Sequence, residues 1–138
     1  MRVLGIVGSL RRDSYNRTLL WAAAAQLPPT AELVEYDGLA SLPAYGEDID
    51  TPLAPAPLAA LREAIADADA LIISTPEYNG SVPGALKNAL DWASRPWAGN
   101  GLHGKPVVMV DPELARKLEE AVAAVVARAA RSLEPAPC

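Results

Sequence analysis

Apolar positions fall along the chain in blocks of two kinds. Val3-Leu4-Gly5-Ile6-Val7 is a short continuous run ended by Gly8. Its apolar residues follow one another without alternation, as in a parallel strand buried on both faces. Beyond the polar stretch 9–17, Leu19, Leu20, Ala23, Ala24 and Leu27 recur at helical spacing, and Pro28-Pro29 stops the helix. Residues 31–36 read as a second strand. Residues 37–57 are expected to be irregular, because Pro43, Pro52, Pro55 and Pro57 oppose regular structure. A loop that long in a compact domain is usually functional or disordered. Leu58, Leu61, Ile65 and Ala68 mark a second helix, and residues 71–74 a third strand. Leu86, Ala89, Leu90 and Ala93 give a third helix over about 84–93, followed by a loop at 95–104 and a fourth strand at 106–110. Asp111-Pro112 has the form of a helix cap and first turn. Leu114, Leu118, Ala121, Val122, Val125 and Ala129 then share the apolar face of a last helix, and residues 132–138 should fray. Strands alternating with helices predict an α/β fold, a parallel sheet with helices on both faces. No repeat or linker interrupts the pattern, so residues 1–138 are expected to form one domain.

Composition narrows the chemistry. Hydrophobic residues make up 51% and charged ones 21%, with no Phe, so aliphatic side chains must fill the core. The net charge of −5 argues against a nucleic-acid partner. Arg11, Arg12 and Arg17 nevertheless gather after the first strand, and a local basic spot on an acidic chain suits a small anionic ligand. The only cysteine is Cys138 and the only histidine His103, so a disulfide within the chain, a cysteine-rich metal site and a histidine cluster are excluded. No apolar run approaches a membrane span or a signal-peptide core, and a soluble, cytoplasmic protein is expected.

Two loops carry candidate chemistry. In the first, Ser9, Ser14 and Asn16 supply hydrogen-bond donors and Arg11 and Arg17 supply charge, beside the free N–H groups of the following helix. Together they make a phosphate site that needs no metal. The sequence is neither Gly-x-Gly-x-x-Gly nor a P-loop, and hydroxyl-rich donors suit a terminal monophosphate. The plainer alternative is a polar turn with solvated arginines. The second loop, residues 75–84, leaves the carboxyl end of the third strand, where open α/β sheets place ligands. Pro76 and Pro83 fix φ, and Gly80 and Gly84 permit close backbone approach or a left-handed turn. Ser81 is a candidate helix cap with Pro83 in the first turn. The alternative here is a strand–helix turn with no ligand. Glu77 is expected to fix this loop rather than act as a base, and Tyr78 is the better ligand contact. Trp92 and Trp97 are expected to pack against the sheet or a partner subunit. A hydrolase triad through His103 is disfavoured, since no nucleophile elbow is present.

Gly8-Ser9-Leu10-Arg11 with Ser14-Tyr15-Asn16-Arg17, and the stretch from Pro76-Glu77-Tyr78-Asn79-Gly80 to Asp91-Trp92, resemble the NADPH-dependent FMN reductase family. Leu42-Pro43 through Glu47-Asp48 resembles that family's middle loop, and the likeness covers residues 1 to about 110. The resemblance implies a flavodoxin-like three-layer sandwich, FMN as cofactor and NADPH as co-substrate. Electrons would pass through FMN to a small-molecule acceptor such as a quinone. By resemblance Ser9, Arg11, Ser14, Tyr15 and Asn16 would bind the FMN phosphate region. Pro76, Glu77, Tyr78, Asn79 and Gly80 would lie against the isoalloxazine. The flavin carries the chemistry, so no protein acid, base or nucleophile and no metal is implied. A homodimer or homotetramer is also implied. The departure lies after Val110, where the family has a glycine-rich loop, a helix and a fifth strand. Here the last helix follows at once, so the expected sheet shrinks to four strands in the order 2-1-3-4. That loss keeps a second reading open: a flavin-binding module, or an inactive relative with weak or no cofactor binding.

Overall fold

In the computed structural model of the chain, which describes residues 1–51, 53–96, 100–111 and 117–133, the four apolar runs form one parallel sheet. Its strands are β1 (Arg2–Val7), β2 (Glu32–Tyr36), β3 (Ala70–Ser74) and β4 (Val107–Val110), in the order β2-β1-β3-β4. β1 and β3 are central, and every residue of Val3–Val7 and Ala70–Ser74 is buried. That is why neither run alternates in the sequence. Val3 lies between Leu33 and Ala70, and β3 meets β4 from Leu71–Val107 to Ser74–Val110.

The helices α1 (Tyr15–Ala24), α2 (Ala56–Ala66), α3 (Gly84–Ala93) and α4 (Leu118–Leu133) cover both faces. The period of two along the strands divides the core between them. Leu4, Ile6, Leu71 and Ile73 pack with Leu58, Leu61 and Ile65 of α2 and Leu86, Ala89 and Trp92 of α3. Val3, Val7, Ala70, Ile72 and Val110 pack with Leu20 and Ala23 of α1 and Leu118, Val122, Val125 and Ala129 of α4. Full burial of one such large side chain contributes about 1.5–3 kcal/mol. Trp92 is the largest fully buried side chain, as its expected place against the sheet requires.

Several element ends differ from the sequence pattern. α1 stops at Ala24, and the amides of Gln26 and Leu27 turn back to the carbonyls of Ala23 and Ala24. α2 begins at Ala56, so Pro57 sits in its first turn, where a missing N–H costs nothing. Ser132 is helical, its hydroxyl donating to the Arg128 carbonyl (3.2 Å). Asp111 is not helical, and the expected helix start at Pro112 and the apolar Leu114 lie outside the described residues, as do Trp97 and Cys138.

The long middle stretch is ordered by tertiary contacts. It contains two 3-10 turns, Gly38–Ser41 and Glu47–Ile49. Asn88 of α3 donates to the Pro43 carbonyl (2.9 Å) and accepts from the Tyr45 amide (2.8 Å). Trp92 Nε1 donates to the same Pro43 carbonyl (2.9 Å), and the Tyr45 ring meets the Trp92 ring edge-on at 4.8 Å. Farther along, the Asp50 carboxylate, 11% exposed, accepts from Arg62 of α2 (2.7 Å) and from Arg95 beyond α3 (3.3 Å). The Arg62 hydrogen bond holds the Asp50 carboxyl below its ordinary range, opposed by burial and helped by Arg95.

At the carboxyl edge the ladders run one residue past the strands. The Gly8 amide donates to the Ser74 carbonyl (2.8 Å), and the Thr75 amide to the Val110 carbonyl (3.1 Å). Gly8 is needed for this approach. A Cβ there would overlap the Thr75 hydroxyl, with Thr75 Cβ at 2.7 Å and Leu86 Cδ2 at 2.9 Å.

Two predictions follow from these contacts. Gly8→Ala should destabilise the fold by about 1–3 kcal/mol through overpacking, measured by chemical denaturation. An unchanged midpoint would contradict the close approach. Asp50 has a lowered folded pKa, so its stabilisation is present above the unfolded pKa, about 3.9, and is lost as pH falls through the lower folded value. Asp50→Asn should therefore lower the melting temperature at neutral pH, and the difference from the parent should shrink in that acid window. A constant difference down to the acid limit would rule out ionic clamping.

Candidate functional site

The chain runs from β1 outward to β2 on one side and from β3 outward to β4 on the other. The crevice outside the carboxyl ends of β1 and β3 is thus the topological switch point, where such sheets bind ligands. Both candidate loops open there.

Ser14 caps α1, its Oγ accepting from the Asn16 amide (3.2 Å), and Ser14 and Asn16 are both buried. The Arg17 amide donates to the Ser14 carbonyl (3.0 Å), so of the first-turn amides of α1 that of Tyr15 is left as a donor for an anion. Ser9 Oγ accepts from the Arg11 amide (3.3 Å). The exposed Arg11 guanidinium donates to the Asp13 carbonyl (2.8 Å) and lies 5.5 Å from the centre of the exposed Tyr15 ring. Arg17, expected to supply charge to this loop, is instead paired with Glu35 of β2 (2.8 Å). Glu35 also accepts from Trp21 Nε1 (3.1 Å), so the pair fastens α1 to the sheet edge.

The second loop is shaped by a two-residue turn. The Tyr78 amide donates to the Ser81 carbonyl (2.8 Å) and the Ser81 amide to the Tyr78 carbonyl (3.1 Å). The central residues Asn79 and Gly80 have φ of 54° and 75°, the left-handed region that Asn-Gly tolerates best. Ser81 therefore closes the turn and does not cap α3. Pro83 occupies the cap position, and its carbonyl accepts from the Lys87 amide (2.9 Å). Glu77, Tyr78, Asn79 and Gly80 are exposed, and a Cβ at Gly80 would meet nothing within 4 Å.

A buried hydrogen bond joins the end of β3, just before the second loop, to the first turn of α1, just after the first: Ser74 Oγ donates to Asn16 Oδ1 (3.2 Å). Asn16 therefore turns its acceptor toward β3, leaving its amino group as the side chain's donor. Two cavities flank this tie. One of about 200 Å³ is lined by Thr75, Pro76, Glu77, Ser81, Val82, Met109, Val110 and Asp111. The other, about 110 Å³, includes Ser9, Leu10, Arg11, Arg12, Arg17 and Tyr36 in its wall. The ten candidate residues are thus divided. Pro76 and Glu77 line the larger cavity, and Ser9 and Arg11 the smaller. Ser14 and Asn16 are buried and line neither cavity, and Tyr15, Tyr78, Asn79 and Gly80 are exposed. Sequence reasoning missed Ser74 and the β4 wall from Met109 to Asp111. Ser74 left a signal as the one polar residue closing an apolar run.

The arrangement offers hydroxyl, amide and guanidinium donors on the β1 side and, on the β3 side, a mixed surface in which Pro76, Val82, Met109 and Val110 stand beside Thr75, Glu77, Ser81 and Asp111. Among the described residues no cluster of His, Cys, Asp or Glu is placed to hold a metal ion, and no helix is long and apolar enough to cross a membrane. His103 is exposed in the turn before β4, its amide bonded to the Asn100 carbonyl (3.2 Å).

Comparison with known proteins places these loops in a family. The chain is 46% identical over 110 residues to a 2-hydroxy-1,4-benzoquinone reductase of Burkholderia sp, covering 80% of this chain and 59% of that protein. It is 42% identical over 116 residues to an NAD(P)H-dependent FMN reductase of Pseudomonas aeruginosa, covering 84% of this chain and 62% of that one. The chain thus spans about three-fifths of the length of these curated relatives. Among solved structures it matches FerB, a flavoenzyme NAD(P)H:(acceptor) oxidoreductase from Paracoccus denitrificans. That match has a TM-score of 0.73 and 32% identity, over 90% of this chain and 71% of FerB. The sequence model of NADPH-dependent FMN reductases matches residues 1–131, within which both loops fall. The chain belongs to the NADPH-dependent FMN reductase family.

Proposed function

We propose that the chain binds FMN across the two loops and acts as an NADPH-dependent reductase of a small-molecule acceptor such as a quinone. The observation that carries this reading is the juxtaposition of a donor-rich helix start and an open, proline-backed turn at the switch point, tied by the Ser74–Asn16 hydrogen bond. FMN held there would supply the redox chemistry that links a nicotinamide to the acceptor. The protein's part is binding and orientation. The Tyr15 amide, Ser9, Arg11 and the Asn16 amino group would hold the phosphate, with the Tyr15 ring beside the Arg11 guanidinium and Ser14 fixing the helix start. Pro76, Glu77, Tyr78, Asn79 and Gly80 would border the ring, where the space above Gly80 leaves room for a planar group. The names of the similar proteins support nicotinamide and quinone or FMN as substrates. A cytoplasmic location and a homodimer or homotetramer belong to the same proposal. A second reading, flavin binding with little turnover, is favoured by the short span 111–117 between β4 and α4, which leaves the cavity bordered by β4 itself.

Arg11→Ala should weaken FMN binding by about ten- to a hundredfold, the loss of a charge-assisted hydrogen bond worth about 1.5–3 kcal/mol. Riboflavin, which lacks the phosphate, should bind wild type poorly and be indifferent to the substitution. Equal weakening of both flavins in fluorescence titrations would remove Arg11 from the phosphate site. With FMN added, wild type should oxidise NADPH in the presence of a quinone. Tight FMN binding without NADPH oxidation would favour the second reading.

A further inference from the structure

We propose that β4 is a dimer seam: two copies of the chain pair antiparallel through their β4 edges into one continuous eight-stranded sheet, Val107 of each opposite Met109 of the other. This inference is independent of the cofactor assignment. Among the described residues β4 pairs with β3 alone. β4 ends at Val110 and α4 begins at Leu118, a shorter separation than the about 10–12 residues that a crossover to another parallel strand takes.

The two edges of the sheet differ in kind. β2 carries Glu32 and Glu35, charges of the sort that discourage strand pairing. β4 reads Val-Val-Met-Val, with Val107 46% and Met109 43% exposed. Its backbone is also directed outward in a defined phase. The Pro106 and Val110 carbonyls face β3, accepting from Leu71 and Thr75. By the alternation of a strand, Val107 and Met109 turn their N–H and C=O groups to the open side. An antiparallel partner can therefore exchange hydrogen bonds between Val107 and Met109 twice, with the twofold axis at Val108.

The same register brings unlike charges together. It sets Lys105 at one end of the strand against Asp111 of the second copy, and the reverse at the other end. Next to β4 lies a groove of about 400 Å³ against α4, in which Ala121 and Ala124 present small side chains to an approaching helix. The pairing also carries the second copy's turn before β4 toward the cavity that Met109 and Asp111 line, supplying a wall from the partner.

Sedimentation velocity on the full 138-residue chain tests the seam. Wild type should sediment at twice 14.5 kDa, or as a larger assembly built from such pairs. Val107→Lys places a charge on an exposed edge position and should raise the dissociation constant about tenfold or more, with an unchanged circular dichroism spectrum. Val107→Pro, which removes only an outward N–H, should act likewise. Hydrogen exchange gives the register: the Val107 and Met109 amides should be protected in the dimer and lose protection in Val107→Lys, while Val108 stays protected in both. A wild-type monomer at the highest soluble concentration would overturn the proposal. So would an assembly indifferent to both substitutions, or one in which the Val107 and Met109 amides exchange freely.

Discussion

Ser74 Oγ meets Asn16 Oδ1 at the point where the chain leaves β3 and enters α1, and both side chains are buried. One residue away, Gly8 lies so close to Thr75 that no other side chain fits between β1 and the start of the second loop. Together these contacts set the spacing of the two loops that define the site. A buried hydrogen bond of this kind matters more for what its loss would leave than for its net gain. An orphaned Asn16 carbonyl would cost about 1–3 kcal/mol in desolvation. The fold thus spends two polar side chains inside an aliphatic layer to fix the geometry of its ligand edge.

The rest of the structure supports that edge from outside. The middle stretch between β2 and α2 has little regular structure, yet Asn88 and Trp92 hold it to α3, the helix that follows the second loop. Asp50 fastens its far end to Arg62 and Arg95. On the other flank, the Arg17–Glu35 pair joins α1, the helix that follows the first loop, to β2. Each candidate loop therefore enters a helix anchored twice, once by its apolar face and once by a polar contact. Under the proposed function that arrangement would keep a bound cofactor oriented, since small displacements of the holding groups reduce efficiency steeply.

Strands, helices and their order were legible because they rest on local pattern. Continuous apolar runs mark β1 and β3, and the helical spacing of Leu86, Ala89 and Ala93 marks α3. The Asn79-Gly80 pair announces a turn needing positive φ. What remained hidden depends on residues far apart in the chain. Nothing local in Arg17 says that Glu35 will claim its guanidinium, and nothing in Asn16 says that Ser74, 58 positions away, will take its acceptor. Ser81 looked like a cap because it precedes a helix, but the turn at Asn79-Gly80 consumes its backbone and moves the cap to Pro83. The middle stretch lacks long elements, as its prolines predict, although α2 takes in Ala56 and Pro57. Its fastening by a tryptophan N–H and an asparagine amide has no sequence signature short of the fold itself.

The central claim is that the two loops form one FMN site at the switch point of the sheet. The most direct test is to follow backbone amide resonances while FMN is titrated into the isotopically labelled chain. The account predicts coupled shifts in Ser9–Arg17 and in Glu77–Gly80, saturating at one FMN per chain, with the amides of β2 and the amino ends of the strands unmoved. Shifts confined to one of the two loops, or centred on the groove between β4 and α4, would contradict it.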